Sequence, residues 1–207
     1  MKFNWDNIVF QMLGKLVDCV WVSILWVICC IPVFTIGAST TALYYTVHKS
    51  IRGDRGYTTR TFFGAFRDNF KAATLPYLIW LAVMIILGCD AYITYQVLKT
   101  GRMSGAFFYF FLVMIAVAVM WSAFLFPYIA RFENGIFATL RNALLLAAAH
   151  IPSTIVIVGL SVGSLILTLF TSRSFVIASI IWVFFGFAVL AYVQAFLLCR
   201  IFEKYEK

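Results

Sequence analysis

The chain is short of charge. Of its 207 residues only 12% are Asp, Glu, Lys or Arg, and only eight of these are acidic. A soluble domain carries about twice that fraction, so there is too little polar surface here to coat a water-soluble globule. Histidine is scarcer still: His48 and His150 are the two in the chain. No nucleophile–base set stands around either, no C-x-x-C pair occurs, and no phosphate-cradling glycine loop is present. These absences exclude a primary pump within this chain and argue against an enzyme. They give no reason to expect a cofactor or a metal. The five cysteines, Cys19, Cys29, Cys30, Cys89 and Cys199, read as small buried apolar residues. Segments of about ten residues with alternating polarity, the mark of a membrane β-barrel, are also missing.

What remains is apolar: 64% of the residues are hydrophobic and 18% aromatic. A spanning helix needs about 20 mostly apolar residues. Five segments meet that length, at roughly 17–35, 76–98, 106–127, 152–171 and 174–199. The expected fold is all-α: one polytopic membrane helix bundle over 1–207, with about five transmembrane helices plus interfacial amphipathic helices. The first segment has a long charged lead-in, from Lys2 to Lys15, and is expected to stay as a permanent helix instead of serving as a cleaved signal. The stretch before it, KFNWDNIVFQMLGKL, is expected along the outer surface, anchored by Phe3 and Trp5.

Lys and Arg mark the cytoplasmic side. The link between the first and second segments, the link between the third and fourth, and the C-terminal tail hold eleven basic residues, against five elsewhere. Five spans put these sets on opposite faces, so the sequence predicts a plasma-membrane protein with its N-terminus outside and its C-terminus cytoplasmic. The net charge of +8 fits the anionic lipid of the inner leaflet. No nucleic-acid recognition motif accompanies it.

Both inner links are richer than connectors need to be. In RTFFGAFRDNFK, Phe62, Phe63, Phe66 and Phe70 share one helical face and Arg60, Arg67, Asp68 and Lys71 the other. Such a helix lies in the membrane interface or in a partner's groove. In RFENGIFATLRNALLLAAAHIP, Phe132, Ile136, Leu140 and Leu144 recur at spacing four. Pro76 and Pro152 are read as opening the second and fourth spans. The residues expected to face a partner are Phe66, Arg67, Asn69, Arg131 and Asn142.

Two further features invite a role. Pro32, Thr35, Gly37 and Ser39 form a break after the first segment. There Gly37 permits a turn, and Ser39, Thr40 or Thr41 caps the next helix. The sharper alternative is that this capped N-terminus binds an anion or a partner carboxylate. The intramembrane acids are Asp18 and Asp90, which the span count places near the same, outer face. They suit either a structural pair or a transport role.

The stretches CCIPVFTIGASTTALYY (29–45), RTFFGAFRDNFKAA (60–73), FPYIARFENG (126–135) and RIFEK (200–204) together resemble the YesL-like family of bacterial integral membrane proteins, whose function is unassigned. The resemblance covers nearly the whole chain, and the first stretch is its most specific part. Such members are often Gram-positive and are commonly encoded near carbohydrate ABC importers and sugar-responsive regulators. The resemblance implies a non-enzymatic accessory protein for carbohydrate uptake, with ABC importer subunits or a sensor kinase as partner. The alternatives are a small oligomeric transporter or channel using the intramembrane acids, and a lipid or envelope-stress factor acting through its basic face.

Overall fold

The computed structural model describes residues 5–51, 58–100, 105–170 and 186–202, and every regular element among them is helical. The first helix, α1, runs Trp5–Cys29. It ends because Pro32 offers no N–H and disfavours the helical conformation in the residue before it. Pro32 itself is extended, at φ −76° and ψ 116°. A single 3-10 turn, Val33–Thr35, leads into α2, Ile36–Ile51. The Thr35 hydroxyl lies 2.6 Å from the carbonyls of both Cys29 and Pro32, which ties the end of α1 to the start of α2. The chain reverses at this point. At the other end of the hairpin lie the first residues of α3, Thr58–Asp68. There Asp18 accepts a hydrogen bond from Thr58 at 2.7 Å, and Trp21 donates one to Thr59 at 2.7 Å.

After a break at Asn69, α4 runs Phe70–Lys99, about 45 Å long at 1.5 Å per residue. α5, Gly105–Ile129, returns beside it. Trp80 Nε1 donates to the Ala118 carbonyl at 2.8 Å, Tyr77 meets Phe126, and Tyr95 meets Phe108. α6, Ile136–Ala149, meets α7, Ile151–Phe170, at 99°. The corner is clamped by Thr154, whose hydroxyl reaches the carbonyls of Ala147 and His150, each at 2.9 Å. The last helix, α8, is Phe187–Phe202.

α2 is the spine of the bundle, in contact with α1, α3, α4, α5 and α8. In its first two turns its buried residues are small: Gly37, Ala38, Ser39, Thr41 and Ala42. Small residues let helix backbones approach closely, and at Gly37 the approach is extreme. A Cβ there would lie 2.5 Å from Tyr77 Cβ and 2.7 Å from the Ala73 carbonyl oxygen. Polar bonds join the layers around α2. Ser23 Oγ accepts the Ala188 N–H at 3.1 Å, which satisfies one of the amides left over at the start of α8. The Tyr44 hydroxyl donates to Gln194 Oε1, and Gln194 Nε2 donates to Ser161 Oγ at 2.8 Å. Two apolar clusters, one around Phe124 and Leu198 and one around Val22 and Phe62, meet at Tyr44 and Phe66.

Several expectations change. The first span, 17–35, is cut at Cys29 by Pro32. The stretch from Trp5 belongs to α1 itself and is not a separate surface helix. α2 starts at Ile36, so Ser39, Thr40 and Thr41 lie inside the helix and cap nothing, and Gly37 serves close packing instead of a turn. α3 buries part of its aromatic face within the chain and leaves Phe63 exposed. Phe62 is fully buried and Phe66 half-buried against the apolar surface of α1 and α2, and Phe70 is half-buried against the cluster around Phe124 and Leu198. α6 buries Thr139, Ala143, Leu146 and Ala147, a face rotated from the expected stripe. Pro76 is the seventh residue of α4, not its first.

Among the described residues, α4 and α5 are long and apolar enough to cross a membrane, and the bent pair α6–α7 supplies a third candidate. The expected spans 76–98, 106–127 and 152–171 fall within α4, within α5 and, all but its last residue, within α7. Of the fifth, 174–199, residues 174–185 lie outside the described residues. Exposed Ile85, Ile86, Phe110, Val113, Ile155 and Ile166 line these helices, as lipid-facing positions would require.

Candidate functional site

The two links that the sequence marks as unusually structured converge on one open cleft of about 600 Å³. Tyr45 and Lys49 of α2 stand one turn apart on its rim. α3 contributes Arg60, Thr61, Gly64 and Asp68, which share one face by their spacing. Asn69, at the break before α4, lies between them. The facing wall is Ile129, Phe132, Glu133, Asn134 and Thr139. Pro76 offers no N–H to the Ala72 carbonyl, and Ala72 also lines the cleft.

Both walls are held firmly. On the α3 side, Phe62 and Ala65 are buried against Val22, Leu25, Ala42, Leu43 and Val47. Asn69 Nδ2 donates to the Ala65 carbonyl at 3.0 Å, bridging the break. On the other side, Phe132 stacks on Tyr128 with ring centroids 4.7 Å apart, and Phe202 packs edge-on against both. The Tyr128 hydroxyl accepts hydrogen bonds from Asn134 at 2.7 Å and Asn142 at 3.0 Å. The Arg131 guanidinium sits 5.5 Å above the Phe202 ring.

The lining chemistry is mixed. Lys49 and Arg60 bring positive charge, Asp68 and Glu133 negative, and Asn69, Asn134, Thr61 and Thr139 bring both donors and acceptors. Tyr45 and Phe132 add aromatic surface. Such a lining complements a polypeptide segment carrying both signs of charge better than it complements a bare anion. No histidine or cysteine lines the cleft, and among the described residues no group of three His, Cys, Asp or Glu is placed to hold a metal ion.

The predicted site residues divide. Pro32, Thr35, Gly37 and Ser39 gather where the hairpin turns and where α2 meets α4. Gly37 and Ser39 are buried, and what the tip turns outward is Ile31, Val33 and Phe34. The Ser39 hydroxyl faces the Cys30 thiol but falls short of a hydrogen bond. Of the expected partner surface, Asn69 lines the cleft and Arg67 is exposed beside it. Phe66 packs between the two apolar clusters. Arg131 and Asn142 point into the Phe202–Tyr128 group that supports the far wall. The two acids do not meet. Asp18 is bonded to Thr58, while Asp90 stands twenty residues beyond Phe70, about 30 Å along α4. The physical reason is the reversal at Pro32, which carries Asp18 to the basic link instead of to the opposite face. From the sequence, Arg60 and Asp68 stand out only as part of the polar face of the first link, and Lys49 and Glu133 carry no site role. The i, i+4 pairs Tyr45–Lys49 and Arg60–Gly64 were legible as stripes, but their convergence with Glu133 was not.

A family model described as "Protein of unknown function, DUF624" matches residues 19–91. The matched stretch takes in the hairpin, α3 and most of α4, hence one wall of the cleft. The facing wall lies beyond it. No curated protein and no solved structure matches the chain.

Proposed function

We propose that this chain is a non-enzymatic accessory protein of the bacterial plasma membrane, whose cleft docks a segment of a partner membrane protein. The observation that carries this reading is the convergence of both inner links on one rigid, mixed-charge cleft. A bare connector needs neither wall. The partner's identity as an ABC importer subunit or a sugar-sensing kinase rests on the YesL-like resemblance alone. Lys49, Arg60 and Arg67 cluster at the cleft end of the molecule, which supports setting that end at the anionic inner leaflet. Asp18 is tied to the same end, which favours an inner position for this part of α1 in place of the outer one read from the span count. The transporter alternative loses its motivating feature, since Asp18 and Asp90 are far apart.

The test is photo-crosslinking in the native host from a reactive residue placed at Thr61, inside the cleft. Capture of an importer membrane subunit or sensor kinase, abolished by Gly64→Leu, is the expected result. A Cβ on Gly64 meets nothing within 4 Å, so a side chain there fills the cleft without a clash at its first atom. Capture of lipid alone, or capture insensitive to Gly64→Leu, would sink the docking assignment.

A further inference from the structure

His48 and Cys199 are 151 positions apart, yet Cys199 Sγ lies 3.0 Å from His48 Nδ1. The pairing follows from the parallel run of α2 and α8. Tyr44 meets Gln194 about one turn earlier, so the next turn of each helix brings the imidazole to the thiol. Both line a small cavity of about 20 Å³ together with Tyr44, Arg131 and Phe202, room for about one water molecule. The Arg131 guanidinium is fixed there over Phe202. Cys199 is only partly covered. In the Nε2–H tautomer His48 Nδ1 is a proton acceptor in contact with the thiol, as an activated cysteine requires, and the Arg131 guanidinium brings a positive charge to the same cavity.

We propose that Cys199 is a redox-modification site whose substrate class is a hydroperoxide, with His48 as the base that takes the thiol proton. The sulfur attacks the outer peroxide oxygen and an S–O bond forms as the O–O bond breaks. The departing hydroxide or alkoxide takes the proton from the His48 imidazolium and leaves as water or alcohol. Sulfur is oxidised to the sulfenic acid and the peroxide is reduced, with no further reactant. The modified sulfur shares its cavity with Phe202, whose ring also supports Tyr128 and Phe132.

The experiment treats the full chain in detergent micelles with hydrogen peroxide at pH 7, traps the sulfenic acid with a 1,3-dione and counts it at Cys199 by peptide mass spectrometry. Glutathione under the same conditions is the reference thiol. Partial burial alone slows a thiol, so only activation gives a rate above the reference. A free thiol is a few per cent thiolate at pH 7, and lower basicity costs part of the gain in nucleophilicity, so the expected ratio is about threefold to tenfold. His48→Asn keeps a polar group near Nδ1 but removes the base, and brings the ratio to one or below. Ser161→Ala, which loosens the Gln194 link from outside the cavity and keeps the base, leaves it above one. Cys199→Ser abolishes the signal. A wild-type ratio at or below one overturns the proposal, whatever the variants do. An unchanged ratio in a folded His48→Asn protein removes His48 from the role of base.

Discussion

Replacing Gly37 by alanine tests the packing argument most directly. The new methyl carbon would stand 2.5 Å from Tyr77 Cβ, 3.0 Å from Tyr77 Cγ and 2.7 Å from the Ala73 carbonyl oxygen. Ordinary contact between carbons is about 3.5 to 4.0 Å. Neither Tyr77 Cβ nor a backbone carbonyl can swing aside, so α2 and α4 must part by about 1 Å. Loosening of that order forfeits about a quarter to a half of each dispersion contact along the shared face. Overpacking of this kind costs about 3 kcal/mol at the upper end of its usual range. Alanine gains at most about 1 kcal/mol over glycine, the helix-interior value, and Gly37 is only the second residue of α2, so the net expectation is a loss of about 2 kcal/mol or more. Gly159→Ala in α7 is the control: a Cβ there meets nothing within 4 Å, so only the favourable helix term applies. Thermal unfolding of both variants in the same detergent, followed by far-ultraviolet circular dichroism, should show Gly37→Ala melting below the parent and Gly159→Ala at or above it. If Gly37→Ala is as stable as Gly159→Ala, the close approach of α2 to α4 is wrong, and with it the placement of the hairpin against the bundle.

Thr35→Val should loosen the hairpin turn by about 1 kcal/mol, the net worth of a hydrogen bond, and Thr35→Ser should restore most of it. Equal losses in the two variants, read by thermal unfolding, would mean that the hydroxyl bonds to Cys29 and Pro32 contribute nothing. Gln194→Leu strands the buried Tyr44 hydroxyl, at a cost of about 1–3 kcal/mol, and adding Tyr44→Phe should recover part of that loss; purely additive losses in the double-mutant cycle would show that the two side chains do not interact. Single cysteines placed at Gly14 and at Arg67, both exposed, in an otherwise cysteine-free chain should be labelled by a membrane-impermeant maleimide from the same side of the membrane. Labelling from opposite sides would refute the hairpin reading of α1 and α2.

Much of the fold was legible because long apolar runs have one common solution in a membrane. The limits of α4, α5 and α7 follow from run length and differ from the predicted spans mainly at Pro76, which reads as a helix start but lies inside α4. A proline inside a membrane helix is tolerated when neighbours cover the disturbance, and Pro76 is buried beside α2. The hairpin was not legible. Residues 19–47 carry no charge, and an uncharged run broken by proline reads equally well as a span with an exit or as two legs folded together. What separates these readings is the fit of Gly37 against Ala73 and Tyr77, a contact between distant parts of the chain. The same holds for the cleft and for the His48–Cys199 pair. The sequence does carry the cleft's ingredients, the Arg60, Gly64 and Asp68 stripe and the residues after Arg131, but it places them about seventy positions apart.

The reversal at Pro32 has a wider consequence. A single span over 17–35 would leave the small and hydroxyl residues from Gly37 to Thr41 at a membrane exit, where their size has no purpose. Folded back, those same residues become the surface on which α4 and α5 close, and the polar side chains further along α2 meet α8. Tyr45 and Lys49 then reach the cleft from a helix whose opposite end is locked by Gly37. The position of one cleft wall relative to the other thus depends on how closely α2 seats against α4, some two turns away. If so, Gly37→Ala should weaken partner capture from Thr61 even in detergent conditions where the protein remains folded. Gly159→Ala, on a helix that does not line the cleft, should leave capture unchanged. Equal capture in the two variants would separate the packing of the hairpin from the shape of the cleft and leave each to be explained alone.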